Sequence, residues 1–204
     1  MNRRAPDQKR DPAASNVEKI RDAALVSFAA RGVGATSLRE VACAAGVSIG
    51  LVQHHFGTKA GLVEAVDRHV AEVIRTSLAT GPGPTTTEAF GQQVTALLAE
   101  HTTAMDYLAR ALVEATPFGN ATFDALVAMG DTRWERRAEH GLLRPDLDRT
   151  WAALNPLLLV LGAIILRSHL DRHLPDHFTS APQLSRWEDA VNDLLRRGQL
   201  RPGD

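Results

Sequence analysis

The chain has 204 residues, of which 44% are hydrophobic and 5% aromatic, and its formal net charge at pH 7 is −1. This length suits one medium domain, or a small domain followed by a larger one. Runs of β-branched and aromatic residues with a period of two are absent, so the composition argues against a β-sheet protein and predicts an all-α fold.

Three features of the sequence bear on where the protein works. Cys43 is the only cysteine, which fits a reducing compartment. Residues 1–15 are polar and lack the apolar core of a signal peptide. The longest apolar run, Leu157 to Leu166, is far shorter than the ~20 residues that span a bilayer. The sequence therefore predicts a soluble, cytoplasmic protein without a membrane partner.

The small net charge hides an uneven distribution. Residues 1–80 contain 11 Lys and Arg against 8 Asp and Glu, whereas the remaining residues contain 12 against 16. A polyanion would bind the basic N-terminal part, although chance clustering explains three extra charges equally well.

Capping signals place the first helices. Residues 1–14 are predicted to be a disordered tail because they are charged and carry two prolines. Ser15 and Glu18 have the spacing of a capping box, so a first helix is expected from Ser15 to Gly32. Ser37 and Glu40 repeat that spacing and predict a second helix, which Gly46 ends.

The remaining helices follow from further caps and breaks. Ser48 is expected to cap a short third helix to about His55, and Thr58 a long fourth helix to about Ala79. Residues 81–87 are rich in Gly, Pro and Thr and predict a loop. Five further helices are expected at about 88–102, 104–116, 120–140, 147–171 and 183–197. The predicted organisation is a tail (1–14), a small helical domain (15–57), a connecting helix (58–80) and a larger helical domain (81–204).

The two short helices that meet at Gly46 are typical of a helix-turn-helix. The second of them could enter a DNA major groove, because that groove is wide enough for one helix. Gln53 could pair with adenine, Ile49 and Leu51 could contact thymine methyl groups, and Gly50 would let the backbone come close. The alternative is an ordinary helical hairpin with a glycine cap.

Residues 35–62 carry a more specific pattern, which resembles the DNA-binding region of the TetR family. The matching features are Thr36-Ser37, Val41-Ala42, Ala45-Gly46-Val47-Ser48, Gly50, His54-His55-Phe56, Thr58-Lys59 and Leu62. The resemblance implies a three-helix DNA-binding domain, a larger helical domain that binds a small molecule and dimerises, and no enzymatic activity.

The same resemblance assigns DNA contacts position by position. It places base-reading residues in the second and third helices: Arg39, Ile49, Gly50, Leu51, Gln53 and His55. It places phosphate contacts at Thr36 or Ser37, at Gln53 or His54, and at Lys59, and Ser48 opens the recognition helix. Gln53 and His55 stand where tyrosine is common in the family, and Ile49 where Lys, Arg or Pro is common, so the operator sequence does not follow.

The last two helices are the predicted dimer interface. The segment Leu154 to Leu166 is apolar on nearly every side, so one face requires a cover beyond its own domain. The final helix carries a second apolar stripe, from Trp187 to Leu195, and the family usually dimerises there. The alternative is a monomer in which this helix is fully internal.

The expected ligand pocket lies among the helices that follow the loop. Polar or aromatic residues among aliphatic ones are the candidates for its wall: Tyr107, Arg110, Met129, Trp134 and Asn155. The alternative is a solid core, with Arg110 in a solvated pair with Glu114.

No cofactor, metal site or catalytic residue is predicted. His169, His173 and His177 have helical spacing, but Pro175 interrupts it before the third histidine. The sequence thus predicts a repressor that binds double-stranded operator DNA as a homodimer and is released by a largely apolar effector. The alternatives are a DNA-binding dimer without a small-molecule ligand and a non-catalytic helical binding protein.

Overall fold

The computed structural model describes residues 12–79 and 86–199, with side chains for 16–79 and 86–199. These residues form helices and no extended strand, which confirms the predicted all-α fold. The helices are α1 (Pro12–Arg31), α2 (Leu38–Ala45), α3 (Ile49–Phe56), α4 (Lys59–Ser77), α5 (Thr87–Glu100), α6 (Thr102–Val113), α7 (Pro117–Glu139), α8 (Arg149–Ile165), α9 (Arg167–Leu170) and α10 (Ala181–Gln199). The chain divides into two compact units after Arg68, inside α4.

The first unit is built from α1, α2, α3 and the beginning of α4. Helix α2 contacts both α1 and α3. The larger fully buried apolar side chains of the first unit are Ile20, Phe28, Val41, Val52, Leu62 and Val66. Each such side chain contributes about 1.5–3 kcal/mol when it leaves water. This burial holds α2 and α3 in place, since helices of eight residues are not stable on their own.

The second unit contains the end of α4 and helices α5 to α10. Helix α5 packs on α10, α7 packs on α8, and α6 contacts both α7 and α8. At the α7–α8 contact, Trp134 packs with Ala152 and Ala153, and Leu143 and Leu147 cover this cluster.

Helix α1 begins earlier than predicted. It starts at Pro12, so Ser15 lies inside the first turn and is not the N-cap. Proline is tolerated in the first turn, where its missing N–H has no partner to lose, and the two alanines that follow favour a helix. The strong helix formers therefore extend the helix past the capping signal.

Two further helix boundaries differ from the expectation. Helix α7 begins at Pro117, because the Thr116 side chain accepts a hydrogen bond from the Gly119 N–H at 3.1 Å and caps it. The predicted single helix over 147–171 ends at Ile165, and α9 follows. Next to this break, the Arg167 guanidinium forms an ion pair with Asp106 of α6 at 2.8 Å.

Some expectations fall on other parts of the chain. The predicted tail up to residue 11 and the loop from 81 to 85 lie outside the described residues. Thr87, expected in that loop, instead belongs to α5, which Thr86 caps. Within the described ranges, every helix is too short or too polar to cross a membrane.

Candidate nucleic-acid interface and an apolar cavity

The turn between α2 and α3 depends on Gly46. Its φ of 68° lies in the left-handed region, and its N–H donates to the Cys43 carbonyl at 3.1 Å. A side chain at this φ would strain the backbone. At the other end of α2, the predicted capping box is present: the Glu40 N–H donates to Ser37 Oγ at 3.2 Å, and the Ser37 N–H donates to Glu40 Oε2 at 2.7 Å.

Helix α3 turns one face inward and leaves the other face free. The Ser48 side chain caps the helix by accepting from the Leu51 N–H at 3.2 Å. Val52 is fully buried and anchors the inner face. On the outer face Ile49 keeps 40% of its surface exposed, and Gln53 is exposed as well. An exposed, capped helix with a mixed polar and apolar face is suited to contact base edges in a groove.

The junction between α3 and α4 depends on a glycine to which the sequence pattern assigns no role. The Thr58 side chain accepts from the Gly61 N–H at 3.2 Å and caps α4, as predicted. A Cβ atom at Gly61 would overlap the carbonyl oxygen of Phe56, the last residue of α3. Gly61 therefore allows the two helices to approach closely. Its signal in the sequence is a glycine in the first turn of an otherwise regular helix.

A set of charges lies beside the start of α2. The Ser37 N–H and hydroxyl hold the pKa of Glu40 below its usual value, with smaller contributions from Arg31 and Lys59. Arg31 forms an ion pair with Glu40 at 3.2 Å. The Lys59 ammonium donates to the Gly34 carbonyl at 3.4 Å. Lys59 is thus held at the surface of the first unit, with its charge close to the beginning of α2 and α4.

The structure places most of the predicted DNA-contacting residues on the surface of the first unit. Those that are exposed are Ser37, Arg39, Ser48, Ile49, Gly50, Gln53 and His54. Leu51, His55 and Lys59 are half-buried. Their role in DNA binding stays a prediction.

Of the two hydroxyls predicted as alternative phosphate contacts, that of Thr36 is not accessible. Its side chain is only 1% exposed, and its hydroxyl donates to the Gly32 carbonyl at 2.9 Å. That carbonyl lies just after the end of α1, where backbone oxygens have no partner within the helix. Thr36 therefore satisfies the end of α1 inside the core, and Ser37 is the exposed hydroxyl of the pair.

A cavity lies within the second unit, among α4, α5, α6, α7, α8 and α10. It offers about 100 Å³ to the centres of water-sized molecules, which is room for several waters. Most of its wall is aliphatic, with Ile74, Leu98, Leu108, Leu157 and Ile164 among the lining residues. Two of the predicted pocket residues, Met129 and Trp134, also line it.

The other three predicted pocket residues do not line this cavity. Tyr107 is buried and stacks on Phe118, with 5.7 Å between the ring centres. Arg110 forms a surface pair with Glu114 at 3.3 Å, which was the alternative interpretation. Asn155 is exposed, because residues about 100° away along α8 face the cavity instead.

The cavity wall contains two arginines that the sequence pattern does not single out. Arg133 and Arg137 are 8% and 7% exposed. Burial, together with the positive charges of Arg137 and Arg136, lowers the pKa of Arg133 to about 10. Burial also lowers the pKa of Arg137, although the Glu88 carboxylate opposes that effect. Both side chains remain cations at neutral pH. The sequence does not single them out, because two arginines one turn apart usually lie on a solvent-exposed helix face.

Comparison with known proteins supplies a family match and similar curated proteins. Residues 20–66 match the family described as bacterial regulatory proteins, tetR family. The HTH-type transcriptional regulatory protein RaaS of Mycobacterium tuberculosis is 32% identical over 130 residues, 64% of this chain and 60% of RaaS. The HTH-type transcriptional regulator BetI of Paraburkholderia xenovorans is 47% identical over 49 residues, 24% of this chain and 25% of BetI. The chain thus spans less than two thirds of the length of either relative.

The whole fold is found in SmeT, the repressor of the Stenotrophomonas maltophilia multidrug efflux pump SmeDEF. The two structures superpose with a TM-score of 0.68 at 23% identity, over 95% of this chain and 94% of SmeT. Together these matches confirm the resemblance that the residues around Gly46 predict. The matched proteins are regulators, which also confirms the expectation of a non-enzymatic protein.

Substitution of two glycines tests the junction between α3 and α4. Gly61→Ala should lower the free energy of unfolding by about 1–3 kcal/mol, because the new methyl group overlaps the Phe56 carbonyl. Gly50→Ala is the matched control, since its Cβ meets only Ser48 Oγ at 3.9 Å. It should leave that free energy unchanged or raise it by up to ~1 kcal/mol. Urea denaturation measures both, and equal effects would contradict the assigned role of Gly61.

Proposed function

We propose that this chain, which belongs to the TetR-like family of helix-turn-helix regulators, is a homodimeric repressor that a small molecule releases from its operator. Helix α3 reads bases in the major groove of double-stranded DNA. A molecule bound in the cavity of the second unit shifts the population towards a dimer that no longer fits the operator. SmeT is a repressor with the same fold, and this likeness supports the proposal.

The outer face of α3 is the observation that carries the DNA-binding part. Ser48 caps the helix and Val52 anchors it, so Ile49, Gly50 and Gln53 are presented without a partner helix over them. Gly50 adds no side chain, and a Cβ atom there would meet only Ser48 Oγ, at 3.9 Å. Backbone can therefore approach DNA closely at this point, while Gln53 supplies a donor and an acceptor for an adenine edge.

An apolar stripe on α8 supports the dimer. Trp151, Leu158 and Ile165 follow each other at intervals of seven residues and are 54%, 48% and 39% exposed. Gly162 lies near them on the helix, and nothing stands within 4 Å of where its Cβ would be. On α10 only Leu194 is an exposed large apolar residue, at 59%, because Trp187, Val191 and Leu195 of the predicted stripe line the cavity. A second copy of the chain, related by a two-fold axis, would cover the α8 stripe.

Selection of bound sequences from random duplex DNA tests the central function and supplies the operator. A repressor of this type should enrich a two-fold symmetric site, because a symmetric dimer presents two α3 helices. Failure to enrich any sequence with the folded protein would favour a helical binding protein that does not recognise DNA.

Gln53→Ala should weaken binding to the selected operator by about 1–3 kcal/mol, since the alanine side chain cannot form the bidentate hydrogen bonds to a base. Binding to unrelated DNA should change little. Gln92→Ala removes another exposed glutamine, from α5, and is the control. Fluorescence anisotropy with labelled duplexes measures both affinities. Unchanged operator affinity in the Gln53 variant would remove this residue from the site.

Lys59→Ala should weaken binding to all duplexes about equally, because an ammonium at this position contacts phosphate and carries no sequence information. The slope of log affinity against log salt concentration should fall by about 0.9 for each phosphate that the variant no longer neutralises. A salt titration of operator and unrelated DNA gives both values. Weaker binding confined to the operator would assign Lys59 to base reading instead.

Leu158→Glu should convert the dimer to a monomer at micromolar concentration. Two symmetric copies of an unpaired carboxylate would be buried in the interface, which raises the dimer dissociation constant by at least ~100-fold. Val113→Glu is the control: Val113 is 68% exposed at the end of α6 and belongs to neither apolar stripe. Sedimentation velocity distinguishes the two variants. A wild-type monomer at that concentration would refute the interface.

A further inference from the structure

Arg133 is a buried cation with an unused donor. Its Nη2 donates to the Leu78 carbonyl at 2.8 Å, and its guanidinium carbon stands 3.9 Å from the centre of the Phe90 ring. Its Nε has no hydrogen-bond partner among the described residues. Native proteins rarely leave a buried N–H without an acceptor, and they rarely do so on a charged group. The guanidinium lines the cavity, so an acceptor located there would reach it.

The surroundings of Arg133 do not neutralise its charge. Leu78 directly follows α4, and a helix C-terminus supplies only about half of a negative charge. Within the described ranges, Arg133 forms no ion pair with a carboxylate. Arg137 adds a second cation to the same wall, with its guanidinium 4.8 Å from the centre of the Trp134 ring. The cavity therefore has a positive end.

Of the two nearby carboxylates, one is paired with an arginine and the other is hydrogen-bonded to a neutral hydroxyl. Glu88, which acts on the charge of Arg137, forms an ion pair with Arg196 at 3.1 Å. Glu188 lines the cavity and accepts a hydrogen bond from the Thr95 hydroxyl at 3.0 Å. The rest of the wall is almost entirely aliphatic and aromatic, so it favours a hydrocarbon over a strongly hydrated ligand.

We propose that the cavity binds a carboxylate with a hydrocarbon tail, whose anionic group bonds to Arg133 Nε and lies between Arg133 and Arg137. The tail lies against the aliphatic wall formed by residues such as Leu98, Leu157 and Ile164. This inference rests on the proposed function and specifies the effector class for the same site. A planar guanidinium is matched to a carboxylate, because two of its N–H groups can donate to the two oxygens at once.

Three eight-carbon probes test the charge requirement on the wild-type protein. Octanoate, 1-octanol and octylamine share one tail and differ in the charge of the head. Octanoate should bind about 10- to 100-fold more tightly than 1-octanol, the ratio expected for a charge-assisted hydrogen bond in a buried site. Octylamine should bind least. Isothermal titration calorimetry without DNA measures the affinities, and thermal shifts must follow them. Equal affinities for octanoate and octanol, or no binding of octanoate, would overturn the proposal.

Variants then assign the effect to the arginine. Arg133→Met should abolish the preference for octanoate while 1-octanol still binds. Arg136→Met removes the same charge from the same helix, but Arg136 does not line the cavity, so the preference should remain. A melting transition in the absence of probe shows that each variant folds. If Arg133→Met does not fold, the wild-type comparison still decides the proposal. Loss of the preference in Arg136→Met alone would overturn it.

A further experiment distinguishes failure of the proposed ligand class from failure of the proposed function. Octanoate is titrated into the complex of wild-type protein and selected operator. Octanoate that binds through Arg133 but leaves the complex intact supports the ligand class and refutes the release mechanism. Release of the operator by octanol and octanoate at equal concentrations supports a ligand-responsive repressor and refutes the anionic head group.

Discussion

An eight-residue helix can read DNA only if something else holds it, and this constraint governs the first unit. Helix α3 is too short to be stable alone, and the proposed function requires that its outer face stay free for DNA. Its main supports are the buried side chain of Val52, the Ser48 cap at its beginning, and the Gly57 cap at its end, whose N–H donates to the Gln53 carbonyl. Because α3 is held only on its inner side and at its ends, the backbone approaches closely at Gly61 and turns in the left-handed region at Gly46. Small residues stand wherever the backbone must turn sharply or pass closely.

The second unit differs from the first because its helices surround a cavity. Its helices bury apolar faces against each other, and yet they leave a cavity and two arginines in its wall. A charge in such a place lowers the stability of the unliganded fold, as the lowered pKa of Arg133 indicates. Below a pH of about 10, Arg133 is charged in the folded protein, and the burial of that charge lowers the free energy of unfolding. A buried cation of this kind is more easily understood as part of a binding site than as a contribution to stability.

The sequence predicted local features well where the controlling atoms are close along the chain. The capping box of Ser37, the turn at Gly46 and the Thr58 cap each depend on residues within about four positions. Predictions failed where distant residues decide. Thr36 looks like an exposed hydroxyl beside Ser37, and only the packing of α1 shows that it is buried.

The same distinction explains the cavity. Asn155 looked significant because it is polar in an apolar segment, but the face on which it lies depends on how α8 packs. Arg133 and Arg137 were overlooked because a pair of arginines one turn apart usually marks a solvated face. Met129 and Trp134 lie in the cavity wall, because large side chains on an amphipathic helix usually point inward. Burial of charge is the feature that the periodicity of a single helix cannot reveal.

A single hydrogen bond connects the cavity wall to the end of α4. Arg133 donates to the carbonyl of Leu78, the residue at which α4 has just ended, and Ile74 of α4 lines the cavity. An anion on Arg133 Nε would share the guanidinium with that carbonyl, so the proposed ligand would act on the side chain that ties α7 to the end of α4. Such a ligand can change DNA affinity only by as much as it prefers one state of the dimer over the other.

At a concentration of 100 times its dissociation constant, a ligand selective for one state supplies about 2.7 kcal/mol, roughly a 100-fold change in an equilibrium constant. That amount is comparable to the energy of one or two base contacts made by α3. The proposed release would therefore require no unfolding of α3, only a modest preference for one state of the dimer expressed through α4.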